Sequence, residues 1–153
     1  MTIRNLYNTD LSLASRITMI LAARPHLART QRMLVAIDFM ATNAANFGMY
    51  STNLHGNSIY SASELAARTQ QIHQGIRFAV TRGLIDPQTT PTGIRFKINT
   101  TGEQFSRQLM NQYASEFRRA VESILPFVDS HSEDEVIKQV ERQGLGTPEE
   151  GER

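Results

Sequence analysis

Cysteine and tryptophan are both absent from the 153 residues of this chain. Without thiols the chain forms neither disulfides nor thiolate metal sites, and it lacks the cysteine framework of a small secreted scaffold. No apolar run approaches the roughly 20 residues that span a bilayer, and residues 1–8 lack the charged and apolar regions of a signal peptide. We therefore expect a cytoplasmic protein.

Lysine is scarce as well, because only Lys97 and Lys138 are lysines among the 16 cationic residues. The charges are also distributed unevenly. Residues 1–126 hold 13 Lys or Arg against 7 Asp or Glu, whereas residues 127–153 hold 3 against 8. Arginine is favoured where a planar donor meets phosphate or carboxylate, although genome composition would produce the same preference.

Catalytic motifs are missing from the sequence. It has no glycine loop ending in Lys-Ser or Lys-Thr, no His-Glu-x-x-His and no Gly-x-Ser-x-Gly. The four histidines are far apart and have no second ligand at metal spacing; they are His26, His55, His73 and His131. The sequence therefore predicts a protein that is not an enzyme and holds neither a metal nor a cofactor.

A long helix followed by a short hairpin, between about residues 58 and 99, organises the chain. One face of the predicted helix carries Leu65, Thr69, Ile72, Ile76 and Val80. Gly83 is expected to end this helix. Apolar and basic residues then alternate over residues 94–98, which predicts a hairpin with one core face and one cationic face. Such a pair is typical of the recognition helix and wing of a winged-helix domain.

Two helices are predicted before this unit. Thr9 or Asp10 can cap the first, which runs to Ala23, and the second runs from near Thr30 to about Asn43. The loop at 44–60 is long enough to be either functional or mobile. We therefore predict a mainly α fold with a small β-hairpin, a winged helix-turn-helix with additional C-terminal helices.

The helix predicted after the wing carries an unusually wide apolar stripe. Its cap is Asn99, Thr100 or Thr101, and Pro126 is expected to end or kink it. The stripe repeats in steps of four, at Phe105, Leu109, Tyr113, Phe117, Val121 and Leu125. Because so wide a face exceeds what one small domain usually covers, we expect these six residues to contact a partner chain.

The predicted organisation has three parts. Residues 1–128 form the winged-helix domain with its N-terminal and C-terminal helices. Residues 129–144 form a short amphipathic helix, with Ser132 and Glu135 as a capping box. Residues 145–153 form a disordered acidic tail.

Candidate polar contacts fall into two groups. Asp38 lies beside an apolar stripe and needs a partner, for which a loop amide, His55 or an arginine would serve, and His55 itself either ties down its loop or contacts a ligand. The candidate nucleic-acid contacts are Gln70, His73, Gln74, Arg77, Arg95 and Lys97. An ordinary solvated face, or one that binds protein, would also explain the second group.

Several segments together resemble a known family. They are residues 31–40 (QRMLVAIDFM), 53–56 (NLHG), 63–65 (SEL), 79–85 (AVTRGLI) and 93–96 (GIRF). Their order and spacing are similar to those of the small middle components of ABC-three-component systems, a group to which the small third subunit of the Lamassu defence system is similar. The resemblance covers roughly residues 11–125.

The resemblance implies a non-enzymatic accessory subunit. Its partners would be an SMC-like or Rad50-like ATPase and an effector, often a nuclease, in bacterial antiphage or anti-plasmid defence. Contact with DNA would be weak and non-specific, and the assembly would be a hetero-oligomer that could contain a homodimer. The alternative is a dimeric winged-helix transcriptional regulator, which would explain the apolar stripe equally well.

Overall fold

The computed structural model describes residues 9–51, 53–54 and 62–144. Within them the chain is mainly helical, with a small three-stranded antiparallel sheet. The helices are α1 (Asp10–Ala23), α2 (Gln31–Thr42), α3 (Ala62–Thr81), α4 (Thr100–Gln108), α5 (Gln112–Asp129) and α6 (Glu133–Gly144), and the strands are β1 (Arg29–Thr30), β2 (Ile85–Thr90) and β3 (Gly93–Ile98). The predicted acidic tail and His55 lie outside the described residues, as does Ser61, whose spacing to Glu64 fits a capping box.

Side-chain caps fix the beginnings of several helices. The Thr9 hydroxyl accepts a hydrogen bond from the Ser12 amide at 3.1 Å, and the Thr30 hydroxyl accepts one from the Met33 amide at the same distance. Before α6, the Glu135 carboxylate accepts from the Ser132 amide at 2.8 Å while the Ser132 hydroxyl accepts from the Glu135 amide. The predicted capping box at Ser132 is therefore confirmed.

The sheet has the strand order β1-β3-β2. β2 and β3 form the predicted hairpin, and Gly83, with a φ of 74°, ends α3 just before it. β1 pairs Arg29 with Phe96 and Thr30 with Arg95. This two-residue strand was not predicted, because a segment so short has no hydrophobic period to detect.

The core lies where α1, α2 and α5 meet. The side chains of Ile17, Leu34, Phe39, Phe117 and Ile124 are fully buried there. α3 packs closely against α1, because Gly75 has no side chain. A Cβ at that position would lie 2.8 Å from Ile17 Cδ1 and from Leu13 Cβ.

The helix after the wing differs from the prediction. The structure has two helices, α4 and α5, where the sequence pattern predicted one. Leu109 takes an extended conformation at the end of α4, and the Asn111 side chain accepts from the Ala114 amide at 2.8 Å to begin α5. The side chain of Asn111, two residues after Leu109, thus caps a new helix, and this capping competes with continuation of α4.

Pro126 lies inside α5 and does not end it, contrary to one of the two outcomes expected for this residue. Proline removes only one backbone donor, and Val128, which is 3% exposed, continues the buried face of the helix beyond it. Among the described helices, none is both long enough and apolar enough to cross a membrane.

Candidate interaction surfaces

The apolar stripe of α4 and α5 is covered in large part by the chain itself. Phe117, Val121 and Leu125 are at most 1% exposed, because α5 packs against α1 and α2. The other three members are half-buried, namely Phe105, Leu109 and Tyr113. The surplus apolar face that motivated the predicted interface is therefore absent at Phe117, Val121 and Leu125, since internal packing accounts for their apolar character.

A groove remains open between α1 and the bend that joins α4 to α5 at residues 109–111, here called the α4–α5 elbow. Its volume is about 470 Å³. The residues that line it are Met19, Ala22, Ala23, Ser106, Arg107, Arg118, Val121 and Glu122. Arg118 Nη2 donates a hydrogen bond to the Ser106 carbonyl and so joins α5 to α4. Apart from Val121, the sequence reasoning missed these residues, because the elbow that brings them together was itself not predicted.

A second, smaller groove lies between α2, α3 and α6. Its volume is about 190 Å³, and Val35, Leu65 and Ile137 are among the residues that line it. At its rim Arg32 Nη1 lies 3.6 Å from Glu133 Oε2. The positive charge of this rim therefore already faces a carboxylate of the same chain.

The predicted nucleic-acid residues of α3 are all exposed. Gln70, Gln74 and Arg77 point to solvent, as does His73, whose Nδ1 lies 3.1 Å from Gln31 Oε1. No acidic residue occurs between positions 65 and 85. Beyond the first turn, which holds Glu64, the exposed face of α3 is therefore polar to cationic, as a surface that approaches phosphate requires.

The wing carries its charge near the base and middle. Arg95 and Lys97 are half-buried, and Lys97 lies opposite Asp86 in the strand register of the hairpin. The tip, residues 89–94, contains no charged residue. Ile94 is 55% exposed, although the alternation predicted it on the core face, because the hairpin tip extends beyond the helices that cover Ile98. Phosphate contacts by the tip would therefore have to come from hydroxyls and backbone amides.

Asp38 lies at the centre of a buried ion network. Its Oδ1 accepts from Arg16 Nε at 2.8 Å, and its Oδ2 accepts from Arg16 Nη2 at 3.2 Å and from Arg68 Nη1 at 3.0 Å. Arg68 Nη1 also donates to the Thr42 hydroxyl at 3.0 Å. The prediction that Asp38 needs a partner is therefore confirmed, and arginines of α1 and α3 are among the partners.

The environment of Arg16 favours its charged form. Burial lowers the pKa of Arg16, but the Asp38 carboxylate and a hydrogen bond with Tyr113 raise it by more, so the pKa is above its ordinary value. The Arg68 guanidinium lies 5.3 Å from the centre of the Phe39 ring, which adds a cation–π contact. These groups are closed off from solvent, and their arrangement suits the fixing of helices rather than the binding of a substrate.

Arg29 forms a second buried charge, at the junction of β1 with α5. It is 7% exposed, its Nη2 lies 3.6 Å from Asp129 Oδ1, and its Nε and Nη2 have no hydrogen-bond partner among the described residues. Burial lowers the pKa of Arg29, and Asp129 offsets part of this effect. Asp129 Oδ2 also accepts a hydrogen bond from Arg24 Nε at 3.1 Å. Its carboxylate is therefore shared between two arginines.

The part of the chain that the structure describes contains no group of three or more histidine or carboxylate side chains that could hold a metal. His55 lies outside that part, so both interpretations of its role stay predictions.

Comparison with known proteins identifies a family to which the chain is similar. The family model for the ABC-three component (ABC-3C) system Middle Component 2 matches residues 6–147 and so spans every described helix and strand. No curated protein and no solved structure matches the chain. The chain therefore belongs to the ABC-three component (ABC-3C) system Middle Component 2 family.

Proposed function

We propose that this chain is a non-enzymatic accessory subunit that bridges an SMC-like or Rad50-like ATPase and an effector, often a nuclease, in a bacterial antiphage or anti-plasmid defence complex. The observation that carries the proposal is the family match over residues 6–147. A middle component belongs to a multi-component system, and membership therefore implies protein partners. The proposal includes the similarity to the small third subunit of the Lamassu system and a cytoplasmic location, where an ATPase that engages DNA would act.

The arrangement of elements supports a winged-helix interpretation. One helix and a short strand precede two helices and a hairpin, and the hairpin pairs with that strand in the order β1-β3-β2. In this interpretation α3 is the recognition helix and the β2–β3 turn is the wing. α4, α5 and α6 are then the additional C-terminal helices.

The state of Asp38 supports a non-enzymatic role. An aspartate side chain can act as a general base, so the surroundings of Asp38 bear on this point. Its side chain is 0% exposed and both oxygens accept from arginine. A general base must reach the proton that it removes from a substrate, and this carboxylate is enclosed within the helices.

The proposed mechanism is a relay between two proteins. The subunit holds the effector inactive on the ATPase and transmits a conformational change when the ATPase engages DNA. The ion network fits this task, because Arg16, Asp38 and Arg68 join α1, α2 and α3 into one unit. A force applied to one helix would then move the other two with it.

The test is binary binding. The tagged chain is expressed with the ATPase component alone and with the effector component alone. The molar mass of each purified sample is then measured by light scattering. We expect a complex in both cases. An isolated chain that stays monomeric beside both components would overturn the proposal.

A second candidate function is sequence-specific DNA binding by a dimeric winged-helix regulator, with Gln70, His73, Gln74, Arg77, Arg95 and Lys97 as its contacts. The exposed face of α3 over residues 65–81, which contain no acidic residue, favours this candidate. A regulator requires a palindrome with half-sites about one helical turn apart. An accessory subunit would show at most weak binding without sequence preference, which decreases steeply as salt increases.

A further inference from the structure

We propose that the groove between α1 and the α4–α5 elbow is the docking site for a short segment of another component of the system, a segment that carries one large apolar side chain flanked by carboxylates. The inference rests on the proposed function, since it assumes that the chain has a protein partner.

The floor of the groove is apolar and open. Met19 and Val121 form its buried base, and the small side chains of Ala22 and Ala23 leave space above them. The volume of about 470 Å³ lies within the range of roughly 300–1,000 Å³ that is typical of ligand clefts. A leucine or phenylalanine side chain inserted there would itself be removed from water, and burial of its apolar surface would be the main source of binding free energy.

The rim of the groove is positive. Arg107 and Arg118 line it, and neither forms an ion pair with a described carboxylate. The acidic residue of the rim, Glu122, lies 3.5 Å from Arg24 Nη1 and is therefore already balanced. Carboxylates beside the apolar anchor of the partner would complement these two guanidinium groups.

A second copy of this chain is a poorer occupant. In a two-fold symmetric dimer the same patch meets itself, so Arg107 and Arg118 of one protomer would face the same arginines of the other. Juxtaposed like charges cost binding free energy. The segment that follows α6 is also a poorer occupant of the groove. α6 packs against α2 and α3 rather than against α1 or α4, which border the groove.

The absence of cysteine gives a direct test. Ala22→Cys introduces a single thiol into the groove, and Ala67→Cys introduces one on the exposed face of α3 as a matched control. The rate of maleimide labelling is measured for each variant, first in the isolated chain and then in the complex with the ATPase or effector component. We expect labelling of the Ala22→Cys thiol to slow at least roughly tenfold in one of these complexes and to be unchanged for Ala67→Cys.

Each other outcome overturns the inference in a distinguishable way. A complex that forms without protecting the Ala22→Cys thiol leaves the accessory function standing and rejects this groove. Protection in the isolated chain that depends on its concentration assigns the groove to a second copy. Protection in the isolated chain that is lost on deleting residues 145–153 assigns it to the tail. If no complex forms with either component, the proposed function itself fails.

The charge of the occupant is tested by Arg107→Gln, with Arg119→Gln as the control. Both arginines are exposed, but only Arg107 lines the groove. We expect Arg107→Gln to raise roughly tenfold the Kd for the component that protects the Ala22→Cys thiol, and Arg119→Gln to leave this Kd unchanged. Equal effects of the two variants would contradict an acidic segment in the groove.

Discussion

Arg16 and Asp38 form a buried ion pair that joins α1 to α2, with Arg16 Nε 2.8 Å from Asp38 Oδ1 and both side chains at most 1% exposed. The second carboxylate oxygen also accepts from Arg68 at 3.0 Å, so that α3 is joined to the same point. Charges buried in this way are costly to leave unpaired. The network should therefore be a strong determinant of how these three helices are placed.

The first prediction concerns the removal of the shared carboxylate. Asp38→Ala leaves the Arg16 and Arg68 guanidinium groups buried without their common anion, and we expect a loss of about 3–5 kcal/mol in the free energy of unfolding. Urea denaturation measures this loss. Glu141→Ala, at an exposed position of α6, should change stability by less than about 0.5 kcal/mol. Equal midpoints for Asp38→Ala and the wild type would show that the network does not stabilise the fold.

The second prediction concerns the contact between α4 and the base of the hairpin. A Cβ at Gly102 would collide with the Leu84 carbonyl oxygen and lie 2.8 Å from Ile98 Cγ1. Because backbone cannot move aside as a flexible side chain can, Gly102→Ala should lower the free energy of unfolding by about 1–3 kcal/mol. Thr101→Ala, one residue earlier and exposed, is the control. A Gly102→Ala variant as stable as Thr101→Ala would contradict this close approach.

The third prediction concerns the buried arginine of β1. Arg29 Nε and Nη2 lack hydrogen-bond partners among the described residues. The free-energy cost of removing these two groups from water is therefore not offset by hydrogen bonds. We expect Arg29→Met, which keeps much of the side-chain volume, to be as stable as the wild type or more stable. Thermal unfolding at neutral pH tests this prediction. Asp129→Ala should instead lower stability, because it leaves the buried Arg29 without a carboxylate and leaves Arg24 with Glu122 alone.

The fourth prediction concerns the pH dependence of the α6 cap. The backbone hydrogen bond from Ser132 lowers the pKa of Glu135 in the folded chain below its ordinary value. A group with a lowered folded pKa stabilises the fold above its unfolded pKa, about 4.3 for glutamic acid, and loses this effect as the pH falls through the folded value. Hydrogen exchange of the α6 amides should therefore be slower in the wild type than in Glu135→Gln at pH 7.

The same comparison in acid completes the test. Once Glu135 is protonated, its side chain carries no more charge than glutamine, and the two proteins should show the same protection of α6 relative to intrinsic exchange. A difference that persists unchanged in acid would mean that the charge of Glu135 is not what stabilises the start of this helix.

Much of the helical framework could be predicted from the sequence, because threonine caps and apolar spacing are local signals. The break between α4 and α5 could not. Phe105, Leu109, Tyr113 and Phe117 keep four-residue steps across it, and such spacing reports which residues face the core rather than whether the backbone is continuous. The groove depends on that break, and it was missed for the same reason.

Long-range pairing was predictable only in part. A carboxylate beside an apolar stripe indicates that Asp38 needs a partner, but Arg16 and Arg68 lie 22 and 30 residues away in sequence, and no local pattern selects them. The exposed position of Ile94 has a similar explanation. Alternation assigns a residue to one face of a hairpin, whereas the extent of the covering core decides whether that face is buried.

The measurement that tests the central claim most directly is the mass of the ATPase and effector components mixed with and without this chain. A bridging subunit predicts a species that contains all three components when the chain is present, and separate ATPase and effector when it is omitted. An ATPase–effector complex of the same yield and stability without the chain would contradict the account.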